Sequence, residues 1–274
     1  MPKHNNISGP RHSTVVFSEY PDYFARFYDM IYHQLRDSVD NSFYLKKIRE
    51  TDGRILEVGV GTGRLFTEAL NHGADIYGID ISEPMIKVAF NKISSKEKKR
   101  ISLQNITDFK FNRKFKLIAA PFRVFMHLVS IKEQIAALNN VYDHLTPGGT
   151  FIFDVFVPDL KALLTGLDNV VDFESEFEPG NKVKRIVSTK PDLVNQIINI
   201  TFRFEWNDGE SAFSREWKSQ MRYFFRFELE HLVERSKFRH FRILGDFEEN
   251  EPGPGSKEFI VICKKPAKYP QKEK

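Results

Sequence analysis

From Ile55 to Arg64 the chain reads Ile-Leu-Glu57-Val-Gly59-Val-Gly61-Thr-Gly63-Arg64, an apolar run followed at once by three alternating glycines. A short apolar run bounded by glycine reads as a buried strand, here Arg54 to Val58. The glycines let the backbone turn sharply and lie against a ligand, and the amides that open the next helix face the same way. Arg64 to Asn71 reads as that helix, closed by Gly73. The spacing excludes the dinucleotide fingerprint G-x-G-x-x-G, because Arg64 stands where the third glycine belongs. Starting the frame at Gly61 puts Phe66 in that slot.

A regular alternation surrounds this element. Ile76 to Ile79 reads as a strand ending at Asp80, and Ser82 caps a helix from Glu83 to about Ile93 with Pro84 in its first turn. Ile101 to Ile106 and Lys116 to Ala120 read as further strands. Ser130 and Glu133 form a capping box for a helix with an apolar stripe of Leu138, Val141, Tyr142 and Leu145. Pro147-Gly148-Gly149 ends that helix and Thr150 to Phe156 is a fifth strand. Strands and helices alternating in this way imply a parallel sheet covered on both faces.

The flanks differ in texture. Residues 1–19 are polar and read as a loose arm, whereas Tyr20 to Tyr44 has helical spacing with Phe24, Tyr28, Ile31 and Tyr32 on one face. The core continues to residue 158. Within 159–222 the segments 173–177, 183–188, 197–206 and 212–224 read as strands, with Asn207-Asp208-Gly209 a hairpin turn. Residues 223–265 return to the core as a helix, Phe227 to Arg235, and two strands, Phe241 to Leu244 and Glu258 to Cys263. Residues 266–274 form a basic tail.

Composition removes several functions. The net charge is only +4, and its excess sits in Lys92 to Arg100 and Lys264 to Lys274, which read as a solvated helix end and a chain end more readily than as a nucleic-acid footprint. The 26 phenylalanines mean either an aromatic core or a lined pocket. Cys263 is the single cysteine, inside an apolar strand, so no intrachain disulfide forms and a nucleophile there is disfavoured. The first residues lack the apolar segment of a secretory signal, and no stretch approaches the roughly 18 apolar residues of a membrane span. A cytoplasmic protein is expected. No histidine pair has zinc-binding spacing, so no metal is expected, and no G-x-S-x-G elbow occurs.

Asp80, at the end of the second strand, can accept both hydroxyls of a ribose. With the G-x-G-x-G turn and Glu57 ahead of it, this fits a nucleoside carrying a methionine tail instead of a pyrophosphate. ILEVGVGTGRL, YGIDISEPMI, FKLIAAPF and HLTPGGTFIFDVF resemble motifs of class I S-adenosylmethionine-dependent methyltransferases, over about Tyr20 to Lys265. The likeness is nearest to the small-molecule branch, in which an antiparallel insert follows the fifth strand. It implies an α/β fold, a Rossmann-like doubly wound, mainly parallel seven-stranded sheet in the order 3-2-1-4-5-7-6, with a small antiparallel sheet inserted as substrate cover.

The resemblance further implies S-adenosylmethionine as cofactor and S-adenosylhomocysteine as product. Gly59, Gly61 and Gly63 approach the methionine part, with Glu57 anchoring the turn and meeting the amino group. Asp80 holds the ribose, Ile81 and Met85 sandwich the adenine, and Asn105, followed by Ile106, stands where relatives place an aspartate for the adenine amine. Ala120 lines the site by its carbonyl and Tyr28 closes over the cofactor. Lys237 stands where relatives carry a glycine.

The acceptor side is less defined. Methyl transfer from a sulfonium is a direct displacement in which alignment and exclusion of water do most of the work, and an amine or hydroxyl also has to lose a proton. His127, in the loop after the fourth strand, is the candidate base, against the alternative of a core histidine bonded to a carbonyl. Asp154 is a second candidate. Arg123 and Arg222 can hold an anionic acceptor or serve structural ion pairs. The absence of N-P-P-Y after the fourth strand, where Ala120-Pro-Phe-Arg123 stands, argues against amino methylation of adenine or glutamine. The expected activity is N- or O-methylation of a small molecule by a monomer or homodimer, with neither nucleic acid nor membrane as partner. An RNA or protein methyltransferase and a non-catalytic cofactor-binding protein are the alternatives. The aromatics Phe173, Phe177, Phe202, Phe204, Trp206 and Trp217 form either a partly apolar lid or ordinary packing.

Overall fold

A computed structural model describes residues 20–35 and 39–267. The arm expected over 1–19 and the tail beyond residue 267 lie outside the described residues. The chain begins with α1 (Asp22–Leu35) and α2 (Val39–Arg49), so the expected helical stretch 20–44 is two helices. The alternating core follows: β1 (Ile55–Val58), α3 (Arg64–Asn71), β2 (Ile76–Asp80), α4 (Glu83–Phe90), β3 (Ile101–Leu103), β4 (Phe115–Ala120), α5 (Ile131–His144) and β5 (Leu145–Phe156). After α6 (Leu160–Thr165) come β6 (Leu167–Glu178), β7 (Asn181–Asp192), β8 (Ile197–Asp208) and β9 (Ser211–Arg222). The chain then closes with α7 (Arg226–Glu234), β10 (His240–Leu244) and β11 (Glu258–Lys264).

The seven-stranded sheet runs β3-β2-β1-β4-β5-β11-β10, which is 3-2-1-4-5-7-6 when only its own strands are counted. Strand β11 lies antiparallel to β5 and β10, and the other pairings are parallel. Strand order reverses between β1 and β4, and ligands in such sheets bind outside the carboxyl ends at that switch point. The register brings the ends together there, with Val58 opposite Ile79 and Glu57 opposite Ala119.

Three expected boundaries shift for local reasons. β3 stops at Leu103 because the Asn105 side chain captures the Thr107 amide in an Asx turn (3.0 Å). α4 stops at Phe90, with Asn91 as its cap. β5 starts at Leu145 and carries Pro147-Gly148-Gly149 through a bulge against β4, where Gly148 takes a φ of 72°. The four insert strands are each 12 residues long and form a separate antiparallel sheet, β6-β7-β8-β9.

The phenylalanines mostly fill cores. Phe115, Phe125, Phe151, Phe153, Phe224 and Phe238 are buried on the face covered by α5 and α7, and Phe43 and Phe66 on the face covered by α2, α3 and α4. A third cluster joins α1 to the inserted sheet: Phe24, Phe27, Phe173, Val183, Phe204 and Trp217. Phe24 lies 5.0 Å from the rings of both Phe204 and Trp217. The insert's aromatics are therefore chiefly the packing between the inserted sheet and α1.

Candidate functional site

A cavity of about 1380 Å³ opens at the switch point. Its floor is the glycine loop. Gly59 and Gly61 take φ of 74° and 58°, the left-handed region that suits glycine. At Gly59 a β-carbon would stand 2.3 Å from Cγ2 of Val124, so backbone and side chain are already in contact there. At Gly61 a β-carbon would meet only the Gly59 oxygen, at 3.9 Å, leaving the cavity side open. Gly63 is different. It caps α3 with φ 82°, and its missing β-carbon lets Ala89 approach. Gly63 is not among the lining residues, and what the structure shows for it is packing of α3 on α4.

Two acids face this floor. Asp80 is buried and accepts the Gly61 amide at 2.7 Å through Oδ2 and the Ser82 amide at 2.8 Å through Oδ1. Asp80 also lines the cavity, so a ribose placed there would meet the same carboxylate that shapes the loop. Glu57 is buried at the cavity wall, and its Oε2 meets no hydrogen-bond partner among the described residues. Burial pushes its carboxyl well above the usual range, Arg64 opposes that and Asp80 adds to it. A buried carboxyl with one unpartnered oxygen beside a glycine loop fits the ammonium of a methionine tail, which would supply both a bond and the charge that favours the ionised form.

At the other end of the cavity Met85 is buried, Ile81 is half exposed and Ile106 is buried, all three lining it. Asn105 lines it as well, but its carbonyl oxygen already accepts the amide and hydroxyl of Thr107, both at 3.0 Å. Ala120 is fully buried behind the wall, and Pro121 takes the lining position expected for it. Tyr28 lines the cavity, as do Tyr20 and Thr62, which sequence reasoning missed. Thr62 sits inside the recognised motif and could have been found there. Tyr20 carries no signal beyond its aromaticity.

The acceptor candidates separate clearly. His127 lines the cavity with Nε2 3.4 Å from the Tyr20 hydroxyl. Burial lowers its imidazole to about 4, opposed by a bond to the Gln220 carbonyl of β9, so the ring is neutral near pH 7. Arg222 also lines the cavity, although its Nη2 is paired with Glu228 at 2.8 Å and bonded to Gln196 at 3.3 Å. Arg123 does not line it. Its guanidinium pairs with Glu258 at 2.6 Å over the Phe156 ring, so of its two expected roles the geometry favours the structural ion pair. Asp154 is no base either: fully buried, it accepts the Tyr44 hydroxyl at 2.7 Å and the Phe122 and Arg123 amides at 2.8 and 3.0 Å. Those bonds hold Phe122 and Arg123 in left-handed conformations, φ 60° and 65°. Lys237 pairs with Asp143 at 2.6 Å and its amide donates to Asn139, a turn that works without glycine. Cys263 is buried, which raises its thiol.

Residues 55–149 match a family model described as a methyltransferase domain. Those residues are a methyltransferase domain. The fold of the chain is that of the class I S-adenosylmethionine-dependent methyltransferases. A methyltransferase of this kind from Clostridium acetobutylicum matches with a TM-score of 0.71 at 21% identity, over 90% of this chain and 99% of its own. The sugar N-methyltransferase KedS8 from Streptoalloteichus matches at 0.69 and 16%, over 95% and 99%. YqeM of Bacillus subtilis is 25% identical over 214 residues, 78% of this chain and 84% of its own, so the likeness extends past the matched domain. Among the described residues the chain has no cluster of potential metal ligands and no helix long and apolar enough to cross a membrane.

Proposed function

We propose that this methyltransferase methylates a nitrogen or oxygen of a small molecule, with S-adenosylmethionine as donor. The observation that carries the reading is one continuous cavity of about 1380 Å³ with a nucleoside cradle at one side and a roof from the inserted sheet at the other. Drug-sized ligands occupy roughly 300–1000 Å³, so this volume holds a cofactor and a small acceptor together. Trp217, Ser219, Gln220 and Arg222 on β9 supply an apolar ring and several polar groups for orienting an acceptor. In the Lys92–Arg100 cluster, Lys92 is paired with Asp29 and Arg100 with Asp75, which weakens the case for a nucleic-acid surface. KedS8, whose fold the chain shares, acts on a sugar nitrogen, and an acceptor of that size suits the roofed cavity.

Gly59, Gly61 and Glu57 would hold the methionine end of the cofactor, Asp80 the ribose, and Ile81, Met85 and Ile106 the adenine. Bound there, the sulfonium supplies a methyl carbon open to attack from the side opposite sulfur. The protein's work is alignment of the acceptor lone pair on that axis. His127, neutral and lining the cavity beside the Tyr20 hydroxyl, would orient the acceptor by a hydrogen bond, and the proton passes on to solvent. Incubating the protein with methyl-labelled cofactor and fractionated small metabolites tests the reading. Labelled product in a low-molecular-weight fraction is expected. Label in RNA or protein alone, or binding without transfer to any fraction, overturns it.

A further inference from the structure

Helix α1 packs on the inserted sheet and lines the cavity through Tyr28, and one side chain ties it to the glycine loop. Thr62, buried within the glycine loop, donates its hydroxyl to Oδ1 of Asp29 at 2.5 Å. Lys92, just beyond α4, takes the other oxygen, Oδ2, also at 2.5 Å. The neighbouring residue is Tyr28, which lines the cavity. A second tie lies at the start of the helix, where the Ser82 hydroxyl donates to the Tyr20 carbonyl at 3.3 Å.

The same helix also packs against the inserted sheet. Phe24 and Phe27 pack on Phe204, and Phe27 on Phe177. The buried Arg185 of β7, bidentate to Asp172, reaches the Tyr32 hydroxyl at 3.2 Å. Arg26 pairs with Asp208 at 3.0 Å. A helix so embedded in the lid moves with it, and Trp217, which lines the acceptor side, shares that packing.

We propose that Asp29 is a positioning residue that locks the glycine loop to α1, so that filling the cofactor cradle orders the lid over the acceptor. This inference rests on the cofactor reading above. The loop binds as a set of left-handed glycines, and anchoring Thr62 leaves it fewer alternatives to lose when ligand arrives. The same tie passes that order through α1 to β8 and β9, and by linkage an acceptor held under an ordered lid strengthens cofactor binding.

The test uses S-adenosylhomocysteine alone and needs no acceptor. Calorimetry on Asp29→Ala and Thr62→Val is expected to show affinity reduced by about five- to tenfold, the usual scale of a coupling. The two losses are expected to be non-additive, the double variant binding no worse than either single one. Asp29→Asn keeps an acceptor for Thr62 and is expected to restore most of the affinity, which a charge-only role would not allow. Hydrogen exchange over 199–206, strand residues packed on α1, is expected to slow on ligand binding in the unmodified protein and not in Asp29→Ala. Additive losses, or unchanged affinity in a folded Asp29→Ala, would overturn the positioning role while leaving the cofactor reading intact. Failure of the unmodified protein to bind S-adenosylhomocysteine would overturn both.

Discussion

Replacing Gly59 and Gly61 separately by alanine separates two uses of the same kind of residue. Both have left-handed backbone, so each alanine carries about 1–2 kcal/mol of strain. At Gly59 the new methyl would lie 2.3 Å from Cγ2 and 3.1 Å from Cγ1 of Val124. Valine is stiff about χ1 and cannot swing both methyls away, so overpacking adds about 1–3 kcal/mol. Gly59→Ala is therefore expected to lose about 2–5 kcal/mol of stability. At Gly61 the nearest atom is 3.9 Å distant, so only the strain applies and stability falls by about 1–2 kcal/mol. That methyl enters the space where the cofactor backbone would approach, and affinity for S-adenosylhomocysteine should fall at least tenfold, about 1.4 kcal/mol. Urea unfolding of the unliganded proteins measures the first quantity and calorimetry the second. A Gly59→Ala protein unfolding at the native midpoint would refute the packing argument. A Gly61→Ala protein with native affinity would show that the loop does not meet the ligand.

Three further outcomes follow from the acids and the histidine. Glu57→Gln replaces a buried carboxyl that burial already drives toward its neutral form; it should leave the unliganded protein at least as stable and weaken S-adenosylhomocysteine while sparing 5′-methylthioadenosine, which lacks the amino acid tail. Equal weakening of both ligands in calorimetry would place Glu57 elsewhere than at the amino group. Asp80→Ala should weaken S-adenosylmethionine by about 1–3 kcal/mol, the scale of lost hydrogen bonds to a charged group, and native affinity in a folded variant would remove the ribose role. His127 sits near 4 when folded against 6.5 when unfolded, so the unfolded chain takes the proton first as pH falls. Its stabilising effect is complete above pH 6.5 and is lost between 6.5 and 4, by about 2–3 kcal/mol allowing for partial solvent access. Denaturation of the unmodified protein and of His127→Gln across that window should show the smaller decline in the variant, and parallel declines would contradict the buried, neutral ring.

What could be read in the sequence was what local spacing encodes. Strand, glycine turn and helix from Ile55 to Asn71 form one contiguous unit, and Asp80 lies at the end of the very next strand, so each reveals itself within a few residues. The roles left open were those settled by partners far along the chain. Arg123 finds Glu258, 135 residues away, and Asp154 finds Tyr44, 110 residues away. Before folding, an aspartate near a strand end and an arginine in a cleft loop both carry the signature of chemistry. The fold spends them on geometry instead. Asp154 fixes two successive left-handed non-glycine residues, a conformation that costs of order 1–3 kcal/mol each and persists only when something holds it. The turn so held places Phe122 on the cavity wall against Tyr28 and Tyr32, at ring distances of 6.3 and 5.2 Å. A residue excluded as a base thus shapes the site all the same, because a displacement aligned by its surroundings depends on how firmly the walls are fixed.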